Sequence, residues 1–216
     1  LKPAAATAYR DAPTFNPGFA TTWIGSSPLP AQASHQDRLL IISLFSGTEA
    51  LLVALLSMGL SFVAVSVESD PQCRRAVSTC FANYVSFDDV QKVTAEAIDE
   101  EVSLCLFDTI LVAGGSPCQG ESALNSNRKG LQDSRSQLYR QLIRIHDELS
   151  AFRYAKNKPK IWKMLENVAS GTPSFHNEVS AAFGGLPFLT QALDWGWEHR
   201  WRKWWVSGPN GVPKAQ

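Results

Sequence analysis

The chain has 216 residues, 44% of them hydrophobic, with 20 basic and 20 acidic side chains and a formal net charge of +0. That length and content suit one sizeable core with tails. The balanced charge excludes a global basic field, so any nucleic-acid contact has to come from a local patch.

Residues 1–37 are rich in Ala, Pro, Ser and Thr without apolar periodicity, and read as a linker or disordered arm. The arm has no charged segment followed by an apolar one, so no secretory signal is expected. The chain begins at Leu1 and reads as a piece of a longer product. Order is expected from about residue 38 to residue 216.

Leu39 to Phe45 predicts a strand, Ser46-Gly47-Thr48 a turn, and Glu49 to about Met58 an apolar helix that Gly59 terminates. The run Ala50 to Leu56 is too short for a bilayer, so no membrane partner is expected. Phe62 to Val67 is a second strand ending at Glu68-Ser69-Asp70, and Pro71 opens a helix to about Asn83. Tyr84 to Phe87 is a short third strand before Asp88-Asp89-Val90, and Thr94 begins another helix.

Phe107 to Ala113 reads as a strand buried on both faces, running into Gly114-Gly115-Ser116-Pro117-Cys118. A long polar loop over 114–134 precedes a helix over about 135–151, with Leu138, Leu142, Ile145 and Leu149 on one stripe. Ile161 to Leu165 is a fifth strand ending at Glu166-Asn167-Val168. A helix from about Ser174 to Phe183 precedes a tryptophan-rich segment, Trp195 to Trp205. This alternation predicts an α/β fold with a doubly wound, mostly parallel sheet, and ligands gather at the carboxyl ends of such strands.

On that rim, Gly47 admits a ligand against the backbone. The turn is not GxGxxG, and Glu49 would repel a phosphate, so a cationic or zwitterionic nucleoside fits better. Glu68 can accept from ribose hydroxyls, and Asp89 from an adenine amine with Val90 on the purine. The plain alternative is a turn and two helix caps.

The four cysteines, Cys73, Cys80, Cys105 and Cys118, lack ligand spacing, so no metal is expected. Cys118 is either a small buried hydrophobe or a nucleophile beside a turn that lowers its pKa. Glu166 puts a carboxyl group on the same rim, which suits addition to an electron-poor heterocycle. His146 lies mid-helix, and no histidine occupies a comparable rim position, which disfavours a Cys-His hydrolase.

Phe45-Ser46-Gly47, Glu68, Asp89-Val90, Gly115-Ser116-Pro117-Cys118-Gln119 and Glu166-Asn167-Val168 stand in the order and spacing of the DNA (cytosine-5) methyltransferase family. Asn127-Arg128-Lys129-Gly130-Leu131 with Asp133 to Leu138 resembles its next motif, and His199 to Trp205 resembles its Arg-x-Arg motif before an aromatic strand. Gly-Gly-Ser-Pro-Cys is most similar to the de novo type branch.

The resemblance implies a class I S-adenosylmethionine-dependent methyltransferase (Rossmann-like) fold. It implies S-adenosylmethionine against Phe45, Ser46, Gly47, Thr48, Glu49, Glu68, Ser69, Asp89, Val90 and Pro117. Cytosine-containing DNA is the implied substrate, with the base flipped out of the duplex. Cys118 would add to C6, Glu166 would protonate N3, and Arg200 and Arg202 would orient the base.

Leu124 is the implied wedge into the gap, and Arg128, Lys129 and Arg135 the implied phosphate contacts. The chain ends soon after the Arg-x-Arg motif, so the resemblance implies a catalytic region truncated before its sequence-reading segment. Homo- or hetero-oligomers and a nuclear location (intracellular if prokaryotic or viral) are consistent with it. Two alternatives stay open: a catalytically silent, partner-binding relative, and an enzyme acting on RNA cytosine.

Overall fold

A computed structural model describes residues 38–81, 84–123, 125–155, 158–191 and 200–213. The described residues form seven strands: β1 (Leu39–Leu44), β2 (Phe62–Val67), β3 (Tyr84–Phe87), β4 (Thr109–Gly115), β5 (Lys160–Val168), β6 (Phe188–Gln191) and β7 (Trp201–Ser207). Five α-helices accompany them: α1 (Ala50–Ser57), α2 (Pro71–Cys80), α3 (Ala95–Val102), α4 (Tyr139–Ala151) and α5 (Pro173–Phe183). The strand order is β3-β2-β1-β4-β5-β7-β6, a mixed, mostly parallel α/β sheet of the class I methyltransferase type.

Two compact units divide the chain. The first comprises Leu1–Ile110 with Phe152–Pro159, and the second Leu111–Ala151 with Lys160–Gln216.

In the first unit β1, β2 and β3 pair in parallel, Leu44 opposite Val67 and Val67 opposite Phe87. Leu40, Ile41, Ile42, Leu44, Ala64 and Val65 are all buried, as both faces of a parallel sheet require. The helix starts follow local chemistry. Asp70 accepts from the Gln72 amide ahead of Pro71, and Thr94 accepts from the Ala97 amide, each satisfying an orphan donor of the first turn.

The end of α1 forms a Schellman motif. Gly59, at φ +74, donates to the Leu56 carbonyl, and Leu60 reaches back to Leu55. α2 ends at Cys80, three residues short of the expected end, and residues 82 and 83 lie outside the described set.

In the second unit β5 and β7 are antiparallel, as are β6 and β7. Phe175, Val179 and Phe183 of α5, Leu142, Ile145 and Leu149 of α4, and Ile161, Leu165 and Trp205 of the sheet form its core. Trp205 Nε1 donates to Ser180 Oγ at 2.9 Å, which lets a large buried indole keep its polar atom satisfied. On the opposite sheet face Met164, Phe188, Thr190, Trp204 and Val206 line a shallow, mostly apolar depression of about 370 Å³.

Further boundaries differ from the sequence reading. β4 starts at Thr109 because the Phe107 amide closes a 3-10 turn on Leu104, and Asp108 is taken by Arg38. Residues 134–137 form a separate 3-10 turn, capped by Asp133, before α4 begins at Tyr139. β5 runs on through Glu166, Asn167 and Val168, and β6 was not foreseen. Glu49, expected as the first helical residue, is left-handed and precedes α1. Of the tryptophans, Trp195 and Trp197 lie outside the described residues, while Trp201 is 48% exposed and Trp205 is buried.

Candidate active site

The first unit carries one group of candidate residues at the ends of β1, β2 and β3. Between β1 and α1 the backbone turns sharply, with Phe45, Gly47 and Glu49 at φ +55, +54 and +64. Glycine enters that region freely, whereas Phe and Glu do so at a cost.

The turn is held from β2. Ser46 donates its amide to Val67, and its hydroxyl lies 3.0 Å from Ser66 Oγ. Glu68 accepts the Gly47 amide at 2.8 Å through one oxygen and the Asp70 amide at 2.8 Å through the other. Arg74 grips the Glu68 and Ser69 carbonyls. Thr48 and Ser69 are exposed, and Val90 is half-buried.

Asp89 Oδ1 accepts from the Gln91 amide and caps a short 3-10 turn. Asp89 is thus the cap of the plain alternative, whereas Glu68 braces the two turns and the helix cap beside it is Asp70. A carboxylate has about four acceptor sites, so Asp89 and Glu68 each retain capacity for a ligand.

A side chain placed on Gly47 would meet nothing within 4 Å. The backbone of the turn therefore borders open space that a nucleoside could occupy. Together with a half-buried acid at the end of β2 and the absence of a phosphate loop, that space fits S-adenosylmethionine.

The second unit carries the other group. β4 ends at Gly115, and Asn167, buried on β5, ties down the residue after it. The Asn167 Nδ2 donates to the Ser116 carbonyl at 3.1 Å and to Ser116 Oγ at 2.9 Å. Pro117 and Cys118 come next, both half-buried, and Cys118 is not sealed in the core. The Cys118 carbonyl accepts the Glu121 and Ser122 amides, folding the chain back on itself.

Glu166 is the neighbour of Asn167, so strand alternation sends it to the opposite face. Its Oε2 would lie 2.9 Å from a Cβ built on Gly115, three residues before Cys118. The β5–β7 register sets Arg202 opposite Val168 and on the face of Glu166. Arg202 Nε closes on Glu166 Oε1 at 2.5 Å, with side chains 18% and 26% exposed. Burial pushes the Glu166 carboxyl up, and the positive charges of Arg202 and Arg200 only partly offset this.

The loop after Cys118 is anchored by a residue the sequence reading passed over. Glu121 is fully buried, and its Oε2 accepts both the amide (2.9 Å) and the hydroxyl (2.8 Å) of Thr172, the N-cap of α5. Its other oxygen has no partner among the described residues.

Of the expected phosphate contacts, Arg128 donates to the Ser170 carbonyl at 3.0 Å. Arg135 is held by Asp133, whose carboxyl that guanidinium lowers to about 2. Lys129 is exposed. Leu124 lies outside the described residues.

Residues 39–177 match the profile of C-5 cytosine-specific DNA methylase. The chain belongs to this family. A Type II methyltransferase, M.AquIA of Picosynechococcus sp., is 32% identical over 106 residues, covering 49% of this chain and 42% of the relative. The Type II methyltransferase M.XorII of Xanthomonas oryzae pv. oryzae is 31% identical over 173 residues, covering 72% and 37%. The chain thus spans about two-fifths of the length of these two relatives.

Among solved structures, the Entamoeba histolytica methyltransferase EhMeth superposes with a TM-score of 0.57 at 18% identity, over 84% of this chain and 56% of that one. At that identity it supports the fold and nothing finer.

Below the Glu166 face of the methylase sheet a second polar contact joins α5 to β7. His176 Nε2 faces the Val168 carbonyl at 3.3 Å, and Lys203 Nζ lies 2.8 Å from His176 Nδ1. A carbonyl only accepts, so Nε2 carries the hydrogen and Nδ1 receives the lysine. Burial and Lys203 both lower the His176 pKa.

Proposed function

We propose that this chain carries the catalytic region of a DNA cytosine-5 methyltransferase, with S-adenosylmethionine resting on the β1–α1 turn. The turn residues Phe45 to Glu49 would hold the donor, Glu68 and Ser69 its ribose, and Asp89 and Val90 its adenine, with Pro117 at the edge. When bound, the cofactor supplies an electrophilic methyl group. The remaining chemistry belongs to the protein.

The observation that carries the reading is Glu166: a largely buried carboxyl raised by desolvation, paired to Arg202 and set against the Gly115 end of the Cys118 turn. Desolvation biases that carboxyl toward its protonated form, so it can pass a proton to a base bound against it. A cytosine flipped from the duplex would present N3 to it. Cys118 thiolate forms a bond to C6, the ring π-electrons shift toward C5, and Glu166 gives its proton to N3. C5 is then nucleophilic and takes the methyl group. Loss of the C5 proton to water returns electrons to the ring and expels the Cys118 sulfur as thiolate, and N3 gives its proton back to the Glu166 carboxylate. Arg202 fixes the Glu166 carboxyl, and Arg200 adds positive charge beside it. Exposed Lys129 would meet a phosphate at the rim, and Arg128 and Arg135 would do so on leaving the Ser170 carbonyl and Asp133.

Cytosine with fluorine at C5 cannot lose a proton there, so it tests the covalent step. The purified chain with S-adenosylmethionine and a 5-fluorocytosine duplex should give a denaturant-resistant adduct, absent in Cys118→Ala. No adduct with the unaltered chain, or one that persists in Cys118→Ala, would overturn the mechanism. Competition by structured RNA over DNA would move the substrate to RNA.

A further inference from the structure

The β1–α1 turn buries a carboxyl whose charge the steps above do not use. Glu49 occupies a left-handed backbone conformation, φ 64 and ψ 43, with no Cβ-free residue to ease it. Its side chain is fully buried. Ser43 Oγ donates to Oε2 at 2.8 Å, while Oε1 has no hydrogen-bond partner among the described residues.

The described ion pairs include none to Glu49. The charged or titratable groups facing it are Glu68 from the end of β2 and Tyr84 from β3; Arg74 of α2 acts on Tyr84 and is committed to the Glu68 and Ser69 carbonyls. Burial raises the Glu49 carboxyl above its ordinary value, and the hydroxyls of Ser66, Ser43 and Ser46 offset only part of that. A buried carboxyl without a counter-cation either keeps its proton or draws a cation toward it.

The proposed methyl donor brings one. Its sulfonium is positive, whereas the demethylated product, S-adenosylhomocysteine, is the same molecule with a neutral thioether. We infer that Glu49 is the charge-discriminating residue of the cofactor turn, favouring the positively charged donor over the neutral product through space. The inference rests on the S-adenosylmethionine reading above. It also gives the strained glutamate a function that glycine could not supply, and helps the spent cofactor to leave.

Linkage makes the effect measurable without turnover. The donor's positive charge lowers the affinity of Glu49 for its proton, which passes to the buffer and leaves the carboxylate behind. The product releases no such proton.

Isothermal titration of the full chain with each ligand, in two buffers of different ionisation enthalpy, reads both quantities. The unaltered chain should release protons on binding S-adenosylmethionine and not on binding S-adenosylhomocysteine. In Glu49→Gln the release should vanish, and the preference for the donor should fall about tenfold, the equivalent of one pKa unit, with product affinity retained. Glu49→Gly, suited to the left-handed backbone, should lose the same preference without the amide's hydrogen bonds. Equal weakening of both ligands, or proton release that survives in Glu49→Gln, would overturn the inference while leaving the cofactor reading intact. Failure of either ligand to bind the unaltered chain would overturn the cofactor reading, and this inference with it.

Discussion

Replacing Arg202 by Met separates the electrostatic role of the Glu166 pair from its packing. The guanidinium and carboxylate meet at 2.5 Å, and both side chains are mostly buried. At an effective dielectric near 20, charges about 4 Å apart attract by about 4 kcal/mol. Solvent reaching the exposed quarter of the pair trims this, and a net loss of about 2–3 kcal/mol follows from stranding the carboxylate.

The loss depends on pH in a defined sense. Glu166 already titrates above its ordinary value, and removing Arg202 raises it further. A carboxyl raised in the folded state binds its proton more tightly there than in the unfolded chain, so its destabilising effect is full above the folded pKa. The effect fades as pH falls toward the unfolded value of about 4.3. Urea unfolding of both proteins should therefore show a penalty near pH 7.5 that shrinks by half or more near pH 5, on the order of one pKa unit of linkage. Adding Glu166→Gln to the Met variant should recover most of the stability, because an amide leaves no charge unpaired. An equal penalty at both pH values, or none at either, would refute the reasoning.

Other outcomes follow from single contacts. Gly115→Ala places a Cβ 2.9 Å from Glu166 Oε2; adduct formation should slow on the order of ten- to a hundredfold by displacement of the acid, with the melting temperature little changed. Glu121→Ala strands the Thr172 amide and hydroxyl and should cost about 1–3 kcal/mol, with faster hydrogen exchange over residues 118–130. Glu121→Gln, which keeps an acceptor for Thr172, should cost less. His176 is held neutral by burial and Lys203, so its stabilising share is present above about pH 6.5 and lost below it. His176→Gln should flatten the pH dependence of stability across that window, as chemical denaturation at several pH values would record.

Much of this arrangement is legible in the chain because it is local. Leu39 to Leu44 and Phe62 to Val67 are short apolar runs ended by polar turns, and Asp70-Pro71 announces a helix by its own chemistry. The Pro-Cys and Glu-Asn-Val segments fall on strand ends that periodicity alone locates. What escaped is non-local. Glu121 reaches Thr172, and Asn167 reaches Ser116, each across 51 positions, and no pattern within either segment marks the partner. β6 is four residues long, too short for alternation to stand out. Glu49 continues an apolar helical pattern, so its left-handed backbone was hidden by good helix formers after it. Arg128 and Arg135 look like free cations in sequence, and only the folded chain shows a carbonyl and a carboxylate already claiming them.

β7 serves two masters through its two-residue repeat. Arg202 and Trp204 look toward Glu166, while Lys203 and Trp205 look toward α5. A screen for inactive variants would therefore recover Trp205 alongside Arg202, although the indole never meets a reacting atom. Insertion of a single residue ahead of this strand would exchange the two sets, delivering a lysine to the acid and an arginine to the oily interior. The identity of the cation beside Glu166 is thus written in spacing as much as in the codon for arginine.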